Sequence, residues 1–354
     1  MTAIDIDLLT GFGATVLKTL DVPEQDAVLV SDSLVTADMW GHPSHGMLRL
    51  PWYVARLRSG AMTAVTDTAY VTDHGAVAVL DGREGIGQVI TQEACAGAVR
   101  RATQFGIAAT AVRNSNHFGT AAYWTRQMAD QGCAGILTTN GSPAMAPWGG
   151  REQKTVGANP WSIATPGPGG RPLVLDIANT GVARGKIYAA AERGEQIPDH
   201  WAIDTDGQPT TDPLAAIKGL LAPMSGHKGY GISFMMDVLS GVLTGSSYGS
   251  GVVGPYVPDQ RSGCGHLVIA LDIAALMPTE EFDSRLGDLV DTTKAVPRAS
   301  GVEEIFVPGE IEANAERAAL EAGAVDLPEK TLTDLRELGR SLGVEFDKTE
   351  VAST

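Results

Sequence analysis

Apolar residues recur at helical spacing early in the chain and then give way to alternating helical and extended patterns. Over residues 23–41, Ala27, Val30, Leu34 and Ala37 fall on one helical face. A proline followed by acidic residues opens this stretch and a glycine closes it, as helix start and stop signals require. A second helix is expected over 51–60, because Pro51 is tolerated only in a first turn. Residues 44–49 therefore form a corner or a kinked turn. After a hairpin-like closure at 80–82, the pattern predicts a helix over 86–105, a strand over 107–112, a helix over 119–131 and a strand over 134–139. That order signals a βαβ unit on a largely parallel sheet.

Further strands are expected over 173–177 and 267–272. A long helix is expected after GHKGYG, with Ile232, Met235, Leu239 and Val242 on one face. Two amphipathic helices close the chain, the last carrying Leu335, Leu338 and Leu342. No internal repeat or low-complexity linker interrupts the pattern, and the glycine-rich 246–258 reads as a long surface loop.

Composition narrows the classes. With 354 residues the prior is two domains or one large one, and 44% hydrophobic with 19% charged residues is ordinary for a soluble α/β protein. A net charge of -16 with no cluster of Lys or Arg argues against a nucleic-acid surface. An anionic substrate must then be held by locally placed cations. Cys95, Cys133 and Cys264 are too scattered for a disulfide framework or a zinc pair, which suits a reducing compartment. MTAIDIDLL is too acidic and too short for a signal peptide, and no stretch approaches a membrane span, so a cytoplasmic, unanchored protein is expected.

Four places carry candidate chemistry. His117, in RNSNHFGT, follows a strand and precedes a helix, where ligands bind in open α/β sheets and where an imidazole can exchange a proton at cellular pH. It competes with a plain surface histidine beside an Asn116 cap. Lys228 opens a helix flanked by Gly226, Gly229 and Gly231; it is either a solvated loop lysine or the holder of a diphosphate. Asp176 ends the strand LVLDI and could orient a histidine, hold a ribose hydroxyl or cap a turn. The corner offers Ser44, His45 and Arg49, and arginine suits a bidentate grip on a carboxylate. Sequence position alone favours an exposed arginine on a helix turn, with Ser44 as an N-cap and His42 as a polar residue after the helix.

Three patterns carry no chemistry. The one literal GxGxxG, at 249–254, neither follows a strand nor opens a helix. DTDGQPTTD at 204–212 resembles a calcium loop, but Ala215 stands at its twelfth position. His42 and His45 lack a third metal ligand at motif spacing, so no metal is expected.

GHPSHGMLRLPWY, NHFGTAAYW, NPWSIATP, VLDIANT, IPDHWAIDTDGQPTTDP, GHKGYGISFMMDVLSGVLTG and VEEIFVPGE, in that order, resemble the malate/L-lactate dehydrogenase family. The family includes ureidoglycolate, sulfolactate and cyclic-imine-carboxylate reducing members. The resemblance implies an α/β fold: a three-layer, non-Rossmann dinucleotide-binding sheet with N- and C-terminal helical segments. It implies three parts: residues 1–80 with the corner, 81–300 as the dinucleotide-binding domain, and 301–354 packing back on the first. The implied activity is NAD-dependent, with NADP possible, and moves a hydride between nicotinamide and a small 2-hydroxy acid. A cyclic 2-imino acid reductase stays open, as do a metal-dependent lyase and an idle binding protein. The implied catalytic positions are His117, His45, Ser44, Arg49 and Asp176. The serine and histidine are proposed in some members to work with that aspartate, and either His117 or His45 transfers the proton. Cofactor positions are His117, Gly119, Thr120, Asn140, Gly141, Asp176, Ile177, Ala178, Lys228, Arg285, Gly309, Glu310 and Ile311. The resemblance also implies a homodimer with its site near the subunit interface, a small carboxylate as substrate, and no membrane or nucleic-acid partner.

Overall fold

In a computed structural model that describes residues 1–346, the helix over Glu24–Met39 begins after Pro23 and stops before Gly41, which takes the left-handed φ of 76°. Ala27, Val30, Leu34 and Ala37 are fully buried along it. Each large side chain of that face contributes about 1.5–3 kcal/mol by leaving water. The stripe packs in a core shared with Leu9, Phe12, Leu17, Tyr53, Val325, Leu327 and Leu335. The strand Thr2–Asp5 pairs antiparallel with Ala324–Leu327, so the two ends of the chain build one body. Residues 347–354, the end of the last expected segment, lie outside the described residues.

A seven-stranded sheet forms the centre, in the order Ala69–Asp73, Val77–Asp81, Ile107–Ser115, Cys264–Asp272, Cys133–Thr139, Trp161–Thr165 and Leu173–Ile177. It is mixed rather than largely parallel: only Val77–Asp81 and Ile107–Ser115 pair in parallel. The expected neighbours Ile107–Ser115 and Cys133–Thr139 do run the same way, but Cys264–Asp272 is inserted antiparallel between them. That strand arrives from more than a hundred residues downstream, so local alternation carries no trace of it. Its insertion leaves the carboxyl ends of the two flanking strands pointing the same way, toward His117 and Asn140.

The helices Gly87–Phe105 and Ala121–Ala129 pack on this sheet through Ile90, Ala94, Ala98, Trp124 and Met128. The second is shorter than expected: Thr120 is its N-cap, and Gly119 stays outside with φ 84°. The helix expected after GHKGYG begins inside the motif, at His227, and runs to Asp237 before one π turn at Val238–Val242. The π turn rotates the following residues outward. Met235, Val242 and Leu243 are 50%, 53% and 63% exposed, and the expected apolar stripe faces away from the sheet. Among the described residues no helix is long and apolar enough to cross a membrane.

Candidate active site

The corner after the Glu24–Met39 helix consists of two successive 3-10 turns, Pro43–His45 and Met47–Arg49. Gly46 joins them, and a Cβ there would lie 2.0 Å from the Asp38 carboxylate, so no larger residue fits without displacing Asp38. Asp38 Oδ2 accepts from the Met47 amide at 2.8 Å. Burial pushes this carboxyl up to about 7, and the Met47 hydrogen bond opposes the shift.

Around this pinned corner the candidate residues meet. Ser44 Oγ lies 2.9 Å from His45 Nδ1, and Arg49 Nε donates to the Ser44 carbonyl at 2.6 Å. The Arg49 guanidinium sits over the Trp52 ring, 4.1 Å from its centroid, and has no carboxylate partner among the described residues. The His45 and His117 rings are nearly parallel, with centroids 5.6 Å apart. Tyr53 Oη is 2.7 Å from His117 Nδ1, and the Gly119 N–H donates to the same nitrogen at 3.3 Å. Nε2 is therefore the nitrogen left for a ligand.

Burial holds His117 well below the ordinary histidine range, helped by His45, Arg49, His266 and Arg56 around it. Burial, then Arg49 and His42, lowers His45 to about 3. Burial raises the Tyr53 phenol, against the nearby Arg49. At neutral pH both imidazoles are uncharged, and two rings in this contact cannot both be charged at once. The arrangement can hold a carboxylate at Arg49 and exchange one proton at a neighbouring imidazole.

Asp176 is not part of this cluster. Its Oδ2 accepts from the Ala122 amide at 2.7 Å at the start of the Ala121–Ala129 helix, and no hydrogen bond joins it to Ser44 or His45. Burial raises it to about 6, while the Ala122 N–H and His42 oppose the rise. It lines a cavity of about 110 Å³ together with Trp40, His42, Arg126, Arg171, Gly309 and Glu312. Gly309 takes φ 88°, and a Cβ there would crowd Val174 N at 3.0 Å. So Asp176 and Gly309, 133 positions apart, do share one cavity.

The remaining cofactor candidates divide. Lys228 is exposed in the first turn of its helix, whose N-cap Gly226 has φ 64°. The Met224 amide just before it donates to the Asn179 carbonyl, which brings Lys228's helix beside the loop after Ile177 and Ala178. Open space lies within 4 Å of where Gly119 and Gly141 would carry a side chain. Thr120 Oγ1 is buried with no partner among the described residues. The Asn140 side chain is fully engaged: Nδ2 donates to Asp237 Oδ1 and the Ser247 carbonyl, each at 2.8 Å, and Oδ1 accepts from Gly265 N at 2.9 Å. Its backbone is engaged as well: the Asn140 N–H donates to the Gly265 carbonyl at 3.4 Å and its carbonyl accepts from Thr139 Oγ1 at 3.3 Å. Glu310 is held by Lys294 at 2.6 Å, Ile311 is exposed, and Arg285 sits on an exposed helix face 3.7 Å from Glu281. Arg285 does not line the cavity. Asn116 is no helix cap; it is buried and accepts from Arg56 at 3.0 Å.

Reading the sequence missed Tyr53, Asp38 and Trp52. Tyr53 is four residues after Arg49, a spacing that shares a helix face and could have marked it. His266 is a fourth: buried on the inserted strand, its ring joins Ser115 Oγ at 2.7 Å and Thr139 Oγ1 at 2.8 Å, tying together the strand ends that lead to His117 and Asn140.

Comparison with known proteins adds independent findings. A family model described as malate/L-lactate dehydrogenase matches residues 4–336. An L-sulfolactate dehydrogenase from Methanocaldococcus jannaschii is 38% identical over 332 residues, covering 94% of this chain and 95% of the relative. A solved sulfolactate dehydrogenase structure from the same organism superposes with a TM-score of 0.92 at 36% identity, covering 97% and 98% of the two chains. A (2R)-3-sulfolactate dehydrogenase (NADP(+)) from Chromohalobacter salexigens is 35% identical, covering 90% of this chain and 93% of the relative. A ureidoglycolate dehydrogenase (NAD(+)) from Escherichia coli O157:H7 is 33% identical, covering 81% of each.

Proposed function

The chain belongs to the malate/L-lactate dehydrogenase family, and from that premise we propose that it oxidises a small 2-hydroxy acid of the malate, lactate or ureidoglycolate type, with NAD as the favoured cofactor. The observation that carries this reading is the cluster at the corner. A guanidinium with no carboxylate partner stands among the charges that hold His117 low, and His117 keeps one nitrogen free.

Residues of the cavity, together with others outside its lining, suit a nicotinamide dinucleotide. Two buried polar atoms without partners, Thr120 Oγ1 and Trp40 Nε1, and the open faces of Gly119 and Gly141 suit a polar ligand approaching the backbone closely. Asp176 would meet a ribose hydroxyl, and Lys228 at its helix N-terminus a diphosphate. When bound, the nicotinamide accepts or returns a hydride.

The chain's own residues do the rest. Arg49 takes the substrate carboxylate in its two-pronged fork, which Trp52 stacking holds flat. With Nδ1 facing Tyr53, His117 removes the hydroxyl proton through Nε2, and in reverse protonates the forming alkoxide through the same atom. His45, neutral beside it and oriented by Ser44, donates or accepts a hydrogen bond without adding charge. His117→Ala should lower turnover by about 100- to 10,000-fold while nicotinamide fluorescence still reports cofactor binding. Wild-type turnover in that variant would reject the reading.

The outward apolar face formed by Phe234, Met235, Val242 and Leu243 supports a homodimer. Light scattering should give twice the chain mass, and Leu243→Asp should reduce it to one.

A further inference from the structure

His266 is 1% exposed at the centre of the sheet, on a strand whose next buried positions, Leu267, Val268 and Ala270, are apolar. Burying an imidazole costs free energy unless both its nitrogens are bonded, and here both are. Nε2 lies 2.7 Å from Ser115 Oγ, and Nδ1 lies 2.8 Å from Thr139 Oγ1. A neutral imidazole donates through one nitrogen and accepts through the other, and a hydroxyl can do either, so both bonds form with no charge on the ring. Burial, which lowers this histidine to about 3, keeps it in that form.

The two hydroxyls belong to different halves of the site. Ser115 ends the strand Ile107–Ser115, two residues before His117, and Thr139 ends Cys133–Thr139, immediately before Asn140 and Gly141. These strands are not neighbours: the inserted strand lies between them, which sets them roughly 10 Å apart, two strand spacings. His266 is directly opposite Thr139 on one side and Val112 on the other, while Cys264 pairs with Ser115. Ile107–Ser115 therefore carries one extra residue between those two pairs, and Asn114 takes φ 52° there. Such a bulge re-aims the residues that follow it. Past it, Ser115 meets the His266 ring, and Phe118, next to His117, sets its own ring edge-on to the imidazole with centroids 4.7 Å apart. His117 is thus flanked in the chain by two residues that both rest on one side chain of another strand.

We propose that His266 is a positioning residue for the coupled transfer of hydride and proton: it sets the separation between His117 and the Gly141 backbone by bonding to the strand end that carries each. This rests on the proposed roles of those two, His117 toward the substrate and Gly141 toward the cofactor, so their separation governs the distance over which the hydride moves. His266 makes and breaks no covalent bond. The hydride leaves C2 of the substrate for the nicotinamide, the hydroxyl proton goes to His117 Nε2, and His266 stays neutral throughout. A charged group in its place would oppose the imidazolium that forms at His117, which it faces.

The variants remove the bonds selectively. His266→Phe keeps a ring against Phe118 and loses both hydrogen bonds. Thr139→Val loses one bond on the strand away from His117, with which Thr139 shares no hydrogen bond among the described residues; Thr139→Ser keeps the hydroxyl. His266→Phe and Thr139→Val should each lower the single-turnover rate of hydride transfer by about 10- to 100-fold. KM and cofactor affinity, read by nicotinamide fluorescence, should change less than about threefold. The primary isotope effect with C2-deuterated substrate should vary more steeply with temperature than in wild type, because a loosened separation samples longer distances. Thr139→Ser should recover both the rate and the isotope effect. Without cofactor or substrate, the 15N resonances of the His117 ring, assigned by their loss in His117→Gln, should shift or broaden in Thr139→Val and stay in place in Thr139→Ser. Wild-type rates and isotope effects in Thr139→Val, with only a lower melting temperature, would make His266 an ordinary core histidine and overturn the proposal. Valine and serine variants that behave alike would overturn it too, and these two decide the matter if His266→Phe fails to fold. Wild-type turnover in His117→Ala would bring down the proton-carrier reading itself, an outcome that no change at 139 or 266 can produce.

Discussion

The corner cluster and the Asp176 cavity deal with buried polar groups in opposite ways. At the corner, histidines are kept neutral, each ring has a hydrogen-bond partner at Nδ1, and the Arg49 charge is stacked on Trp52. In the cavity, carboxylates and guanidiniums stand with one partnerless buried atom, Trp40 Nε1, and Asp176 is strained toward its neutral form. The corner is organised before any ligand arrives, whereas the cavity has polar groups whose satisfaction waits for one. Preorganisation belongs where charge develops during reaction; unsatisfied groups belong where binding energy is to be gained.

The sharpest way to break this comparison is to remove the proton carrier. His117→Ala should cost about 100- to 10,000-fold in turnover, with cofactor affinity nearly unchanged because the cavity is untouched. Equal losses in turnover and in cofactor binding would show that the two regions are one. Arg49→Ala should cost less, about 10- to 200-fold in kcat/KM, from a lost charge-assisted pair worth about 1.5–3 kcal/mol. Most of that loss should appear in KM. Arg49→Lys should recover only part of it, since an ammonium can neither form the fork nor stack on Trp52. Full recovery by lysine would count against a bidentate grip.

The same contrast explains what the sequence made legible. Ser44, His45 and Arg49 lie within six residues, so one motif contains them, and the helix before them is spelled out by Ala27, Val30, Leu34 and Ala37. His117's place between a strand and a helix marks it as a candidate, beside the alternative of a plain surface histidine. Tyr53 and His117 are 64 positions apart, and no local pattern records their contact. Sheet direction failed for a related reason, because the strand that reverses it comes from 264–272. Asn140 shows the converse: it stands where a ligand residue is expected, but three hydrogen bonds consume its side chain. Position identifies a neighbourhood, and only geometry shows whether a side chain is free.

The smallest effect expected, and the one that best tests the cavity's half of the comparison, comes from Asp176→Asn. Two forces compete on this carboxylate. The start of the Ala121–Ala129 helix favours its charge by about 0.3–1 kcal/mol, and up to about 2 in buried geometries. Burial opposes the charge and wins, since the carboxyl is raised to about 6. The folded chain therefore holds this proton more tightly than the unfolded chain, whose aspartates titrate near ~3.9. Stability from this group is fully present below that value and is lost as pH rises through about 6. At pH 8 the charge costs about 2–3 kcal/mol as an upper bound. Asparagine keeps an oxygen for the Ala122 amide and carries no charge. In thermal melts without cofactor, the two proteins should agree near pH 4, and the variant should melt higher by pH 8. Cofactor affinity should fall by about tenfold at either pH, because asparagine accepts less strongly from a ribose hydroxyl. A variant that loses stability equally at both pH values would make Asp176 a favourable helix cap and remove the strain attributed to the cavity.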